Sequence, residues 1–546
     1  MQRYLSIITV AFAAAAAPSA DACSSLIATP GATDSGSSMI TYAADSHTLY
    51  GALYHTAAAD HAAGAERTVR DWDSGRELGA IAEVPHTFST MGNMNEHGVA
   101  IAESTWGGRP ELEGTGTVDY GSLIYIALER ARTAREALDI MTGLVKDYGY
   151  ASSGESFSIA DPDEVWILEL IGKGKADKGA VWVARRVPDG YISGHANHAR
   201  IHKFPLNDPE TLYSPDVISF ARQQGYFSGK DEDFDFSRAY AITDAGALRG
   251  CDARVWSYFN RFAPRGEMEA YLPWILEGKG EPMPLWVKPA KTLAASDLKW
   301  MMRDHFEDTP LDMTKDIGAG PFDCPYRWRP MEYTVDGQKY THERAIATQQ
   351  TGFSFVADLS GKRHDAMKGI LWFGVDDANT CAYVPVFSSN TTVPHSLDAA
   401  TADLLTLSWD AMFWVNNFVA NQAYNRYSQM IPDIRRVQSG LENAMQAAVA
   451  DEAKAVEGLS YADAGVRLNA LTEHWAAKTT ADYKQLGDYL FVKFLDGNIK
   501  KERDGKFVRT PEGMPEQPEF GGYNERYFRS IVNDAGDRLK VVEPEL

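Results

Sequence analysis

From residue 38 to residue 186 the chain keeps returning to short runs of β-branched and aromatic residues closed by turn chemistry, with one stretch of helical spacing set among them. The runs 38–43, 99–103, 156–160, 165–170 and 180–186 read as strands. Asp161-Pro-Asp163 and Pro188-Asp-Gly190 are turns in which proline fixes φ and glycine supplies a positive one. Residues 120–148 carry apolar side chains at helical spacing, and Thr133 with Glu136 forms a capping box that restarts the helix at Ala134. Strands, two helices and strands again predict a layered α+β domain. Near residue 395 the spacing turns helical and stays so to residue 494, with alanine-rich turns around 444–455. That stretch reads as a helical bundle, a lid or a subunit contact. Residues 264–330, rich in proline and glycine, read as long packed surface connections, and the polar tail beyond 500, with Pro511, Pro515 and Pro518, as a surface segment. The expected division is 1–22, 23–395, 396–500 and 501–546.

The first 22 residues have the grammar of a secretory signal. Arg3 is the charged start, 4–17 is an apolar run too short to span a bilayer comfortably, and Ala20-Asp21-Ala22 closes an A-x-A cleavage site. Cleavage after Ala22 makes Cys23 the first residue and frees its α-amine. Such an amine titrates near ~7.7–8.0, so at neutral pH part of it is unprotonated and can take the proton of its own thiol. Nucleophile and base then share one residue. Two other fates compete. A lipoprotein signal also ends in cysteine, but it wants an aliphatic residue three before and a small neutral one two before, where this chain has Ala20 and Asp21. An exported cysteine also serves in ordinary disulfides. The reading places the product in the periplasm or the medium.

A net charge of −22 and a pI near 5.0 argue against nucleic acid as a partner, because phosphate binding needs a basic surface. Beyond the leader no apolar run is long enough to span a membrane. The four cysteines are Cys23, Cys251, Cys324 and Cys381; with Cys23 kept free at most one bridge forms, and Cys324 with Cys381 is the expected pair.

Several constellations fall away on inspection. His195, His198 and His202 have spacings that suit a metal, but no acidic ligand stands in register. Asp231, Asp233 and Asp235 imitate a calcium loop until Phe236 and Ile242 take the places of its glycine and glutamate. Gly154-Glu-Ser-Phe-Ser158 lacks the closing glycine of a nucleophile elbow. No metal or cofactor is expected. What remains suits an N-terminal cysteine. Asp45 follows the first strand and can hold or orient the new amine, while Asn95 and Asn197 sit in turns where an amide can serve an oxyanion. Arg254 can pair with Asp45 or with a substrate carboxylate.

Cys23-Ser-Ser-Leu-Ile with Thr33-Asp-Ser-Gly-Ser37, then Asn95-Glu-His-Gly98, Tyr120-Gly-Ser-Leu, Gly154-Glu-Ser-Phe-Ser158 and His195-Ala-Asn197, resembles the dipeptidase A and secernin-like family. These are cysteine peptidases among the N-terminal-nucleophile hydrolases, related to penicillin V acylase and bile-salt hydrolase. The likeness runs in order from Cys23 to about residue 496. It implies an αββα sandwich of two antiparallel sheets between helical layers, and hydrolysis of dipeptides with a free amino terminus. It also implies Cys23 as nucleophile, Asp45 as support for its amine, Asn95 and Asn197 as oxyanion donors, and Arg254 as a site arginine. Many relatives carry an arginine three residues before the aspartate; here Tyr42 stands there and leaves a hydrogen-bond donor for the substrate. An N-acyl amide hydrolase is the second reading and a non-enzymatic lipoprotein or binding module the third. Homo-oligomerisation stays open.

Overall fold

The computed structural model describes residues 23–175 and 177–543; the leader read at 1–22 lies outside them. In chain order, the elements that carry the architecture begin with β1 (Ser25–Ala28), β2 (Ser38–Asp45), β3 (Ala100–Trp106), α1 (Tyr120–Leu128) and α2 (Ala134–Tyr148). There follow β4 (Gly154–Ala160), β5 (Val165–Gly172), β6 (Ala180–Arg186), β7 (Ile192–His195) and α3 (Ala253–Phe262). The last are β8 (Thr351–Leu359), β9 (Gly369–Val375), β10 (Val384–Phe387), α4 (Met412–Asn425), α5 (Tyr427–Val456) and α6 (Tyr461–Lys493).

Two antiparallel sheets lie face to face. The first runs Trp286–Val287, β7, β1, β2, β8, β9, β10; the second runs Thr211–Tyr213, β6, β5, β4, β3 and three short strands ending at His55–Thr56. β1 and β2 of the first sheet meet β3 and β4 of the second. α1 and α2 cover the outer face of the second sheet, and α3, α4 and α6 cover the first, against β7, β9 and β10. The layer order is helices, sheet, sheet, helices, an α+β sandwich. Strands buried on both faces read as apolar runs and not as alternation, which is why every residue of Val165–Gly172 is buried. Between the sheets the His195 ring bonds Ser104 Oγ at 2.6 Å and Ser158 Oγ at 2.8 Å, and burial pushes its pKa down to about 3, so a neutral imidazole bridges the two layers.

α2 shows how the local signals resolve. Ala134, Ala137, Leu138, Met141, Leu144 and Val145 form its buried stripe. Thr133 Oγ1 accepts the Glu136 N–H at 3.1 Å, but the Glu136 carboxylate reaches back to the N–H of Arg132 at 2.7 Å, one residue before the partner a capping box would give it. Within 264–330, helix Ala295–Met301 packs on β8 and buries Leu298 and Met301. The tail helix Glu525–Ala535 buries none of its residues and is tied down by Asn524 N–H to Pro321 O at 3.1 Å.

All four cysteines are unbridged, which corrects the expected Cys324–Cys381 pair. Cys381 is a packing residue: its sulfur fills the space left by Gly374, where a Cβ would come within 2.7 Å of it. Cys324 is only partly buried, beside the turn Ile317–Phe322. No helix among the described residues is long and apolar enough to cross a membrane.

Candidate active site

The register of the first sheet fixes where Cys23 sits. Ser24 and Ala43 exchange backbone hydrogen bonds at 3.3 and 3.0 Å, continuing the pairing of Ile27 with Ile40. The same register sets Cys23 beside Ala44 and its amino side beside Asp45. The thiol is buried, 4 % exposed. It donates to Glu103 Oε1 at 3.2 Å and lies 3.6 Å from the Tyr42 hydroxyl, which itself donates to Glu103 Oε1. Burial, then the charges of Glu103 and Asp45, push the thiol well above its ordinary range. At rest the sulfur is therefore a protonated thiol pointed at a carboxylate.

Arg254, fully buried on α3, joins the pieces. It enters from the π-helical turn Gly246–Asp252, and its Nη1 donates to Cys23 O at 2.7 Å and to Ser24 Oγ at 2.8 Å. Nη2 donates to Asn197 Oδ1 at 2.9 Å and Ala196 O at 3.2 Å, and Nε to Gly250 O at 2.7 Å. One planar guanidinium thus fixes the carbonyl of the candidate nucleophile relative to the candidate oxyanion amide. Asn197 holds the left-handed φ of 56°, and its Nδ2 is turned to the carbonyl of Thr105, a residue that lines the cavity at the thiol.

Asp45 accepts from Thr351 Oγ1 at 2.7 Å and from Arg344 at 3.2 Å. Burial outweighs the arginine and pushes its pKa up to about 7. Arg344 also lines a second cavity, of about 240 Å³, together with Arg327 and Arg329, behind the 45–49 segment. That segment is pinned by glycine: a Cβ on Gly51 would lie 1.7 Å from the carbonyl oxygen of Gly352, so only glycine fits the approach.

Cys23, Tyr42 and Asp45 open on one cavity of about 290 Å³, walled on its far side by Tyr54, Trp72 and Tyr125. Its other polar groups include Glu103 and Asp73, the latter accepting from Tyr120 Oη at 2.8 Å. None of the described residues lining it is Lys, Arg or His.

Asn197 is not itself among the described residues lining this cavity, reaching Thr105 at its edge, and neither is Asn95. The Asn95 Nδ2 donates to Leu128 O and Ala131 O, both at 2.7 Å, and its Oδ1 accepts from His97 and Val99 N–H at 3.0 Å, so the amide is consumed in holding the turn against the end of α1. Asn93, two residues earlier, lines the cavity instead. His198 and His202 pair with Asp252 and Asp235, at 2.9 and 3.0 Å, and do not converge with His195. Sequence reasoning passed over Glu103, although it ends a run read as a strand and is a charged residue in register with the buried Val99 and Ile101. Arg344 carried no local signal, being 299 residues from Asp45.

The sequence model of Peptidase family C69 matches residues 22–440. A protein named probable dipeptidase from Latilactobacillus sakei is 23 % identical over 302 residues, covering 54 % of this chain and 57 % of that protein. One of the same name from Salmonella dublin is 26 % identical over 243 residues, covering 42 % and 52 %. A probable dipeptidase A of Streptococcus pyogenes serotype M3 is 26 % identical over 321 residues, covering 57 % and 60 %. The chain thus spans between half and two thirds of the length of these relatives.

Proposed function

The chain belongs to peptidase family C69, and from that premise we propose that it is an exported dipeptidase whose nucleophile is Cys23, freed as the N-terminal residue by cleavage after Ala22. The observation that carries the reading is the character of the cavity at the thiol: among the described residues, carboxylates and aromatic rings line it and no basic side chain does, which suits a substrate that brings an ammonium to the reacting bond. The names of the relatives from Latilactobacillus sakei and Streptococcus pyogenes support the same activity.

In this mechanism the α-amine of Cys23 accepts the thiol proton, and the sulfur attacks the peptide carbonyl. Asp45, beside the amino side of Cys23, orients the amine. Asn197 and a backbone N–H receive the oxyanion, with Arg254 holding Asn197 in place; Asn95 is left to its turn. The protonated amine gives its proton to the leaving amino acid, a thioester remains, and the same amine then activates the water that releases the acyl half.

The reading is tested with paired substrates. Acetylating the amino end of a good dipeptide removes its charge and is expected to lower kcat/KM by about 10³, the scale on which a site built for a polar group rejects an analogue lacking it. A chain that cleaves the acetylated or a longer N-acyl substrate faster than the free dipeptide is instead an amidase of the acylase type.

A further inference from the structure

The geometry of attack limits which carboxylate can receive the amino end of a dipeptide. The α-nitrogen lies about 2.5 Å from the carbonyl carbon, set by the two bonds between them. That carbon stands about 3–3.5 Å from the sulfur in a near-attack arrangement. The nitrogen is therefore within about 6 Å of Sγ, and its hydrogen-bond partner about 3 Å from the nitrogen. Glu103 Oε1, 3.2 Å from Cys23 Sγ, closes that triangle.

Glu103 shares its burial with a second carboxyl group. Its Oε2 and the Oε1 of Glu155 are both buried without a hydrogen-bond donor among the other groups. The two glutamates stand on adjacent strands, β3 and β4, where Thr105 pairs with Glu155 and Glu103 with Phe157, so they are diagonal neighbours on the face opposite Ser104 and Ser158, the side that α1 covers. Ionised carboxylates only accept, so both orphan oxygens are satisfied when one proton lies between them. Burial raises both carboxyl groups; Glu155 is pushed further up, with the Glu103 charge as its second cause, while hydrogen bonds from Glu155, Tyr42 and Cys23 offset part of the rise at Glu103. The proton therefore belongs to Glu155, and Glu103 is left as the carboxylate that Tyr42 and the thiol donate to. The titratable side chains that act on Glu103 include Cys23, Tyr42, Asp73, Tyr120, Tyr150 and Glu155, none of them basic; the basic group that the proposal adds beside them is the freed α-amine of Cys23.

We propose, resting on the dipeptidase reading, that Glu103 is the specificity residue that receives the substrate's α-ammonium, and that this docking is what makes Cys23 nucleophilic. The empty site holds a negative charge against the sulfur, which disfavours the thiolate; a substrate ammonium compensates that charge and removes the obstacle. No proton changes place on docking. The ammonium and Glu155 keep theirs, and the S–H proton passes to the α-amine of Cys23 in the chemical step. A substrate without the charge fails twice, in affinity and in turnover.

The test compares wild type, Glu103→Gln and Glu103→Asp on a dipeptide and its N-acetyl form, and follows iodoacetamide labelling of Cys23 at neutral pH. Wild type is expected to prefer the free amine by about 10³; Glu103→Gln should reduce that preference to within about tenfold. The same variant should label Cys23 faster than wild type, with its pH profile moved to lower pH, because removing the Glu103 charge lowers the thiol pKa. A purely structural role for Glu103 would move neither readout in this direction. Glu103→Asp keeps the charge and should retain most of the preference. A Glu103→Gln enzyme that keeps the wild-type preference, or a folded Glu103→Asp that loses it, overturns the assignment while leaving the dipeptidase intact. Wild type without preference for the free amine overturns the dipeptidase reading and the assignment with it.

Discussion

Cys23→Ala is expected to remove dipeptide hydrolysis down to the background of the assay, a loss of at least about 10⁴ in kcat, because sulfur is both the attacking atom and the carrier of the acyl group. The protein itself should survive the change. Cys23 is a small buried residue whose backbone is held by the Ser24–Ala43 pairing and by Arg254, neither of which involves the thiol. Circular dichroism and an unchanged unfolding midpoint would establish that, and initial rates on the same preparation would measure the loss. A folded Cys23→Ala protein with more than about a hundredth of wild-type turnover would mean that the reaction runs elsewhere.

The second large effect belongs to Arg254. Replacing it by leucine removes the donor that serves Cys23 O, Ser24 Oγ, Ala196 O and Asn197 Oδ1, all buried, and the part-buried Gly250 O. An abandoned buried acceptor costs about 1–3 kcal/mol, and since neighbouring groups relax together the sum is not additive. The expected destabilisation is about 3–5 kcal/mol, read from urea midpoints at unchanged m-value. Turnover should fall by at least about 10² even where the protein stays folded, since the carbonyl of Cys23 and the amide of Asn197 lose their common fixture. Arg254→Lys should not restore it, because an ammonium cannot reproduce the planar fork. An Arg254→Leu variant with wild-type stability and turnover would contradict the role given to this side chain.

What the sequence disclosed follows the range of the physics involved. The strand runs and the restart of helix α2 are local signals, and they reappear as β2, β3, β4, β5, β6 and α2. β8, β9 and β10, which complete the first sheet, escaped notice although all of their residues are buried. β8 pairs with the distant β2, and strands covered on both faces lose the alternation that marks a half-exposed strand. The site divided in the same way. Cys23, Asp45, Asn197 and Arg254 stood in recognisable strings, and β1 with its neighbours brings them together. Asn95 stood in an equally suggestive string, yet its amide is spent on the turn that the same string builds. Glu155 was quoted within a motif and given no role, because its meaning depends on Glu103 in the adjacent strand. The expected disulfide failed because a count of cysteines carries no distances, and Cys381 turned out to serve packing beneath Gly374.

An N-terminal nucleophile is tested most directly by the intact mass and N-terminal sequence of the exported protein after treatment with a thiol-directed alkylating agent, with dipeptide hydrolysis measured before and after. The expected result is a chain that begins at unmodified Cys23, takes one alkyl group there in the presence of a dipeptide-sized ammonium, and loses its activity as it does so. A mature chain that begins elsewhere, or one whose Cys23 carries a lipid, would contradict it.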